Sequence, residues 1–191
     1  RDDAIYRMAS NTKLVTSVAL MMLQEEGLFD LDDPLAKFIP EFGELQVLQP
    51  DATTAADVHP AKNLISIRHL LSHSAGLSYG FVEPDSVIDQ CYLNGGVNGL
   101  GEKDIDLEEL CAGIAKLPLA FEPGTSWRYS FATDVCARLV EVLSGQSFDA
   151  FLRQRIFDPL GMVDTDFWVP QEKVHRLITM YSPEDLFDPM K

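Results

Sequence analysis

Residues 10–26, SNTKLVTSVALMMLQEE, constrain the fold more than any other stretch. They contain no glycine or proline, and Gly27 follows as a natural C-terminal stop. Leu14, Val15, Val18, Ala19, Met22 and Leu23 place apolar side chains on nearly every side of the helix this spacing predicts. A helix of that kind is expected to be buried, so the rest of the chain must wrap it.

The rest reads as material for such a wrap. DLDDPLAKFIPEF (30–42) predicts a turn and a short helix ended by Pro40, and residues 43–63 read as polar loop. Ser66 is a candidate N-cap for IRHLLSHSA (67–75), a helix that Gly76 would close. NGGVNGLG (94–101) reads as a loop, since it lacks the GK[ST] ending of a phosphate-binding loop. Asp106 with Glu109 forms a capping box ahead of LEELCAGIAKL (107–117). EPGTSW (122–127) is a turn. FATDVCARLVEVLSG (131–145) is an amphipathic helix stopped at Gly145, and SFDAFLRQRIF (147–157) is another with Ser147 as its cap. DFWVP (166–170) and RLITMY (176–181) read as extended. The predicted chain is therefore mostly α, turning towards strand only near its end. No internal repeat and no low-complexity tract is visible.

At 191 residues with 46% hydrophobic side chains, one sizeable core is within reach. The formal net charge of −15 argues against nucleic acid and anionic membrane surfaces as partners, and fits a well-solvated exterior. No apolar run reaches the roughly 18 residues of a membrane span, and no signal peptide is visible. Cys91, Cys111 and Cys136 are too few and too scattered for a disulfide framework, which points to a reducing, cytoplasmic compartment. The chain begins at Arg1 rather than Met, so the natural N-terminus is expected to lie upstream.

Ser10 and Lys13 are the first candidates for chemistry. With 12 serines and 7 lysines among 191 residues, chance alone gives about 0.4 S-x-x-K matches, so the spacing is weak on its own. Three features strengthen it. A helix start leaves backbone N–H groups unpaired and favours negative charge. Residues i and i+3 share a face, bringing an amine to a hydroxyl. Burial on an apolar helix favours a neutral lysine able to accept a proton. The competing reading is Ser10 as a plain N-cap with Lys13 snorkelling to solvent.

Other candidates are weaker. GLSYG (76–80) matches G-x-S-x-G, but a nucleophile elbow needs a strand before the serine, and here a helix precedes Ser78. Ser78 reads as a turn residue. His69 and His73 lie four apart, as zinc ligands can, yet no glutamate base stands between them and no third ligand cluster is apparent, so no metal is expected. Tyr129, in WRYSFATD, is a core residue unless it lies beside Lys13, where it could relay protons.

Taken together, the motifs resemble the serine β-lactamase-like superfamily of penicillin-binding proteins, class C β-lactamases and family VIII carboxylesterases. S-x-x-K stands as Ser10-Asn11-Thr12-Lys13 and the tyrosine motif as Tyr129-Ser130-Phe131. LLSHSAGL, FEPGTSWRYS, LVEVLSGQSF and FDPLGMVDTDFWVP follow in the same order, so the resemblance covers nearly the whole chain. It implies a serine hydrolase acting on a small-molecule ester or amide without metal or cofactor. Ser10 would be acylated, Lys13 would help deprotonate it, and Tyr129 would act with Lys13 as general base. Class C enzymes carry Tyr-x-Asn where this chain has Phe131, and the Tyr-Ser-apolar form is closest to the carboxylesterases. A β-lactamase or a D-alanyl-D-alanine carboxypeptidase is the alternative, and a non-catalytic binding relative is another. No K-T-G, H-x-G or W-G-G triplet appears in the last third. The resemblance therefore implies a helical domain (1–165) with the incomplete start of a sheet domain (166–191), most of the antiparallel sheet lying outside the chain.

Overall fold

The computed structural model describes residues 3–97 and 105–180. A 3-10 turn, Ala9–Asn11, leads into α1 (Thr12–Glu25). There follow the hairpin strands β1 (Gln46–Leu48) and β2 (Val58–Pro60), then helices α2 (Ile67–Leu71), α3 (Val87–Asn94), α4 (Leu107–Ile114), α5 (Ala132–Ser144) and α6 (Phe148–Leu152). A π-helical turn, Arg153–Phe157, continues α6. The described fold is mainly α with one two-stranded sheet.

Helix α5 is the hub. It packs on α1, α2, α4 and α6, and buries Ala132, Val135, Cys136, Leu139 and Val140 along one face. Its C-terminus closes at Gly145, at φ 69°. Helix α1 ends in a Schellman arrangement: Gly27 N–H donates to the Gln24 carbonyl (2.9 Å) and Leu28 N–H to that of Leu23 (3.2 Å). Asp106 caps α4 through the Glu109 N–H (2.8 Å). Ser147 occupies the N-cap of α6, but its hydroxyl does not bond the helix backbone.

Several expectations change. Helix α1 is not buried all round: Thr16, Ala19, Leu20 and Leu23 face the core, while Leu14 and Val18 on the opposite side are 71% and 45% exposed. The helix expected to reach Ala75 stops at Leu71, because His73 turns the chain at φ 54°. Ser66 does cap it, in a reciprocal pair with His69. The short helix expected before Pro40 is a 3-10 turn, Leu35–Lys37, and another, Pro40–Gly43, begins where the helix was expected simply to end. Residues 43–63 hold the hairpin rather than loop alone. Asp57 gathers the Thr53 and Thr54 N–H groups (2.9 and 2.8 Å) at its turn. Leu119 exchanges backbone hydrogen bonds with Gln46 and Leu48 on the strand's other edge (2.8 and 2.9 Å). Residues 166–170 form no strand. RLITMY begins at the end of a 3-10 helix, Gln171–Arg176, and contributes one parallel bridge, Leu177 to Ile5. Residues 98–101 of the glycine-rich loop and Tyr181 of that last stretch lie outside the described residues.

Ser78 belongs to a buried polar network. Its side chain and that of Asp89 are both fully buried (0% exposed). The Ser78 hydroxyl donates to Asp89 and accepts from Arg128 Nε (2.8 Å). Arg128 also donates to Asp89 Oδ1 (2.9 Å) and Glu83 Oε2 (2.7 Å), and Glu83 N–H donates to Asp89 Oδ2 (2.5 Å). Burial pushes the Asp89 carboxyl upward, but the Ser78, Glu83 and Arg128 donors outweigh it and hold the group below its usual range. This network fixes the turn 76–83 against the segment leading into α5. It expects Asp89→Ala to cost about 3 kcal/mol in urea unfolding, since the Arg128 cation would lose its buried partner. Because the folded-state pKa is depressed, the contribution is full above the unfolded carboxylate value near 4 and is lost as pH falls below it. A cost under about 1 kcal/mol, or no acid dependence, would contradict the network's role.

Candidate active site

Ser10 sits on the 3-10 turn at the mouth of α1, one residue after Ala9, whose backbone takes a φ of 43°. Lys13 follows on the first turn of the helix proper. Its ammonium nitrogen lies 3.5 Å from Ser10 Oγ, as the i, i+3 spacing predicts. The Ser10 Oγ and the Tyr129 hydroxyl are 2.6 Å apart. Lys13 Nζ stands 4.8 Å from the Tyr129 ring centre and 5.3 Å from that of Tyr79. The structure thus brings Ser10, Lys13 and Tyr129 into one cluster across 119 residues of sequence.

Tyr129 is held from behind. Arg128 N–H donates to the His73 carbonyl (2.9 Å), and His73 Nδ1 lies 3.3 Å from Ser130 Oγ, which itself accepts from Ala132 N–H (3.3 Å). The His73 ring packs 5.1 Å from the Tyr129 ring, and the Tyr79 ring 5.3 Å from it. Phe131, the third residue of the tyrosine motif, is 5% exposed. It precedes α5 and packs on Tyr79 at 4.4 Å. Its side chain is a wall of the site.

The three residues open onto a cavity of about 800 Å³ between α1, α4, α5 and α6. Its near wall is aromatic, from Tyr79, Phe81, Tyr129 and Phe131, and Thr16, Leu110, Asp134 and Phe148 lie along it. Burial alone would push the Tyr129 phenol up, but Lys13 and the Ser10 hydroxyl outweigh it and hold the group below its usual value. Tyr79 moves the other way: burial first, then the neighbouring Asp134, keep its phenol protonated. Burial and then the Lys13 charge lower His73, which favours a neutral ring. Burial raises the Asp134 carboxyl.

The remaining sequence candidates go elsewhere. Ser78 is sealed in the Arg128 network. His69 Nδ1 accepts the Ser66 N–H (3.2 Å), and the His69 ring sits beneath Gly124. His73 turns to Ser130 instead, so the histidine pair does not converge. Among the described residues no cluster of potential metal ligands is found. Tyr79 and Asp134 are cavity residues that the sequence reading did not single out, although both lie within motifs it examined. Their only signal was adjacency to Ser78 and Tyr129.

A beta-lactamase family profile matches residues 1–189. The chain is 35% identical to the lovastatin esterase of Penicillium rubens over 187 residues, 96% of the chain and 45% of that protein. It is 34% identical to esterase EstB of Burkholderia gladioli over 168 residues, 87% of the chain and 39% of that protein. Among solved structures it superposes on EstCE1, described as a hydrolase with promiscuous acyltransferase activity. The TM-score is 0.76 at 29% identity, covering 95% of the chain and 44% of that structure. The chain therefore spans less than half the length of these relatives. A profile match along nearly its whole length shows that this chain belongs to the beta-lactamase family.

Proposed function

We propose that this chain carries the nucleophile half of a serine hydrolase that cleaves small-molecule carboxylic esters through an acyl-enzyme on Ser10. The 2.6 Å approach of Ser10 Oγ to the Tyr129 hydroxyl, with Lys13 Nζ at 3.5 Å, is the observation that carries this reading. Tyr129, acting with Lys13 as general base, takes the Ser10 proton as Oγ attacks the acyl carbon. The bond to the alcohol oxygen then breaks, and that oxygen takes the proton back from Tyr129. Water repeats the sequence on the acyl-enzyme, with Tyr129 again as base. The Ser10 N–H is one donor to the oxyanion, and a strand beyond these residues supplies the second. No step calls for a metal or a cofactor.

The same reading divides the chain into a helical domain, 1–165, and the beginning of a sheet domain, 166–191. Three observations support it. Leu14 and Val18 lie open on the outer face of α1, where further chain would cover them. Ile5, just ahead of the Ser10 turn, pairs in parallel with Leu177, just after the helical region. The related proteins are more than twice as long. No helix among the described residues is long and apolar enough to cross a membrane, and the buried thiols of Cys111 and Cys136 suit a reducing, cytoplasmic setting.

Measurements on the full-length protein and on residues 1–191 test this. A fluorophosphonate is expected to label Ser10 in the full-length protein, with Ser10→Ala abolishing turnover of p-nitrophenyl butyrate. Nitrocefin should be the poorer substrate, because Phe131 offers no hydrogen bond to a lactam amide. Label on Ser78 would remove the assignment, and nitrocefin turnover matching the ester's would favour a β-lactamase. For Tyr129, ultraviolet titration should show one phenol ionising below the ordinary value near 10 and vanishing in Tyr129→Phe. The same variant should lose about 10²–10⁴ in kcat. Finally, residues 1–191 alone should turn over the ester about 10²–10³ more slowly than the full-length protein, for want of the second oxyanion donor. Equal rates would show that the chain already holds the complete site.

A further inference from the structure

Asp134 lies in the first turn of α5, five positions after Tyr129. An acid there is favoured by the helix macrodipole, and that alone explains many such residues. It does not explain why this carboxylate is turned into the cavity that Ser10 and Lys13 line, where it is half-buried. The Tyr79 hydroxyl donates to Asp134 Oδ2 at 3.2 Å. The ring of the same Tyr79 lies under Lys13 Nζ at 5.3 Å. Tyr79 thus ties the carboxylate to the aromatic floor on which the lysine rests. Opposite charges attract more strongly across such a partly desolvated space than in water.

We propose that Asp134 is a positioning residue for the reaction centre: tethered by Tyr79, its carboxylate faces Lys13 across the aromatic floor and holds the lysine beside Tyr129, the group that accepts the Ser10 proton. The inference rests on the hydrolase reading above. Asp134 does not touch the reacting atoms. It acts through Lys13, whose charge favours ionisation of Tyr129, while its own negative charge raises the pH at which Tyr129 gives up its proton. The opposing influences of Lys13 and of burial on the Asp134 carboxyl agree with this placement.

The other titratable groups around Asp134 are accounted for. From α4 and α5, Cys111 and Cys136 are buried thiols that burial pushes upward, to about 12 for Cys111, so neither carries charge near neutrality. His73, from the turn after α2, is held towards its neutral form. Farther along the cavity, Asp106 caps α4, and Glu141 is paired with Arg138 (3.1 Å). Asp149, in the first turn of α6, is held below its usual value, first by the Ser147 hydroxyl. Lys13 is thus the cation that Asp134 faces across the aromatic floor.

The test is the pH profile of kcat/KM for p-nitrophenyl butyrate with full-length wild type, Asp134→Asn, Asp134→Glu and Ser10→Ala, between pH 6 and 10. The acid limb reports the ionisation of Tyr129 in the free enzyme. Without the carboxylate charge that limb should move about one unit towards lower pH in Asp134→Asn. Asp134→Glu retains the charge and should leave the limb at the wild-type position, even if the plateau falls. A purely structural role would lower the rate by the same factor at every pH, and that result in Asp134→Asn, with Ser10→Ala inactive, would overturn this proposal while leaving the hydrolase reading intact. If Asp134→Asn does not fold, a displaced limb in Asp134→Glu overturns it instead. Undiminished activity in Ser10→Ala would overturn both.

Discussion

Everything at the site depends on the packing of α1 against α5. The two helices are separated by more than a hundred residues, yet each places candidate-site residues at its N-terminal end: Lys13 from α1 with Ser10 on the turn ahead of it, and Tyr129 from the residues leading into α5. Both helices bury small and branched side chains, among them Thr16, Ala19 and Leu20 of α1 and Ala132, Val135 and Cys136 of α5. Such a contact is close-packed and has little freedom to slide. The distance between Ser10 and Tyr129 is therefore fixed by the core, not by the polar groups themselves.

A second layer fixes the orientation of Tyr129. The Arg128–Asp89–Ser78 network lies immediately before it in sequence and behind it in space. Its three members come from the segment before α5, from α3 and from the turn after α2. Buried ion pairs of this sort contribute little net stability, but they penalise any rearrangement that would separate the charges. Here that penalty falls on the segment that carries Tyr129. Gly76 makes the closure possible: its φ is 85°, and a Cβ there would stand 2.4 Å from the Phe121 carbonyl oxygen. The turn can therefore approach residues 119–121 only because position 76 has no side chain.

What was legible in the sequence was mostly local. Helices α1, α4, α5 and α6 announce themselves by apolar spacing, and Gly27, Ser66, Asp106 and Gly145 mark ends where cap chemistry is decided within a few residues. The Ser10–Lys13 relation is local too, since one helical turn dictates it. What failed was set by distant partners. The hairpin at 46–60 pairs its two strands with each other and has Leu119 on the far edge of β1, a distant partner that no periodicity in residues 43–63 reveals. Ser78 looked like an isolated turn hydroxyl because Asp89 and Arg128 lie 11 and 50 positions away. Helix α2 ends early because His73 adopts a left-handed backbone, a choice made by Arg128 and Ser130 rather than by LLSHSA itself. The two-faced character of α1 was hidden for another reason. Its sequence is apolar on both sides, and only the fold shows which side these residues cover.

Backbone strain gathers where the chemistry is proposed. Ala9 and His73 are the non-glycine residues with positive φ among those described, and they flank the cluster on opposite sides: one precedes Ser10, the other packs against Tyr129. Each left-handed conformation costs roughly 1–2 kcal/mol for a residue with a side chain. Such strain persists only where neighbouring contacts over-determine the geometry. At His73 those contacts are visible. Its N–H donates to the Leu70 carbonyl (3.1 Å), its carbonyl accepts from Arg128, and its ring meets Ser130. The core and the Arg128 network thus hold two unfavourable backbone conformations in place. The consequence is that the fold itself holds Ser10 and Tyr129 within hydrogen-bonding distance, so the cost of organising them falls on folding rather than on the proposed reaction.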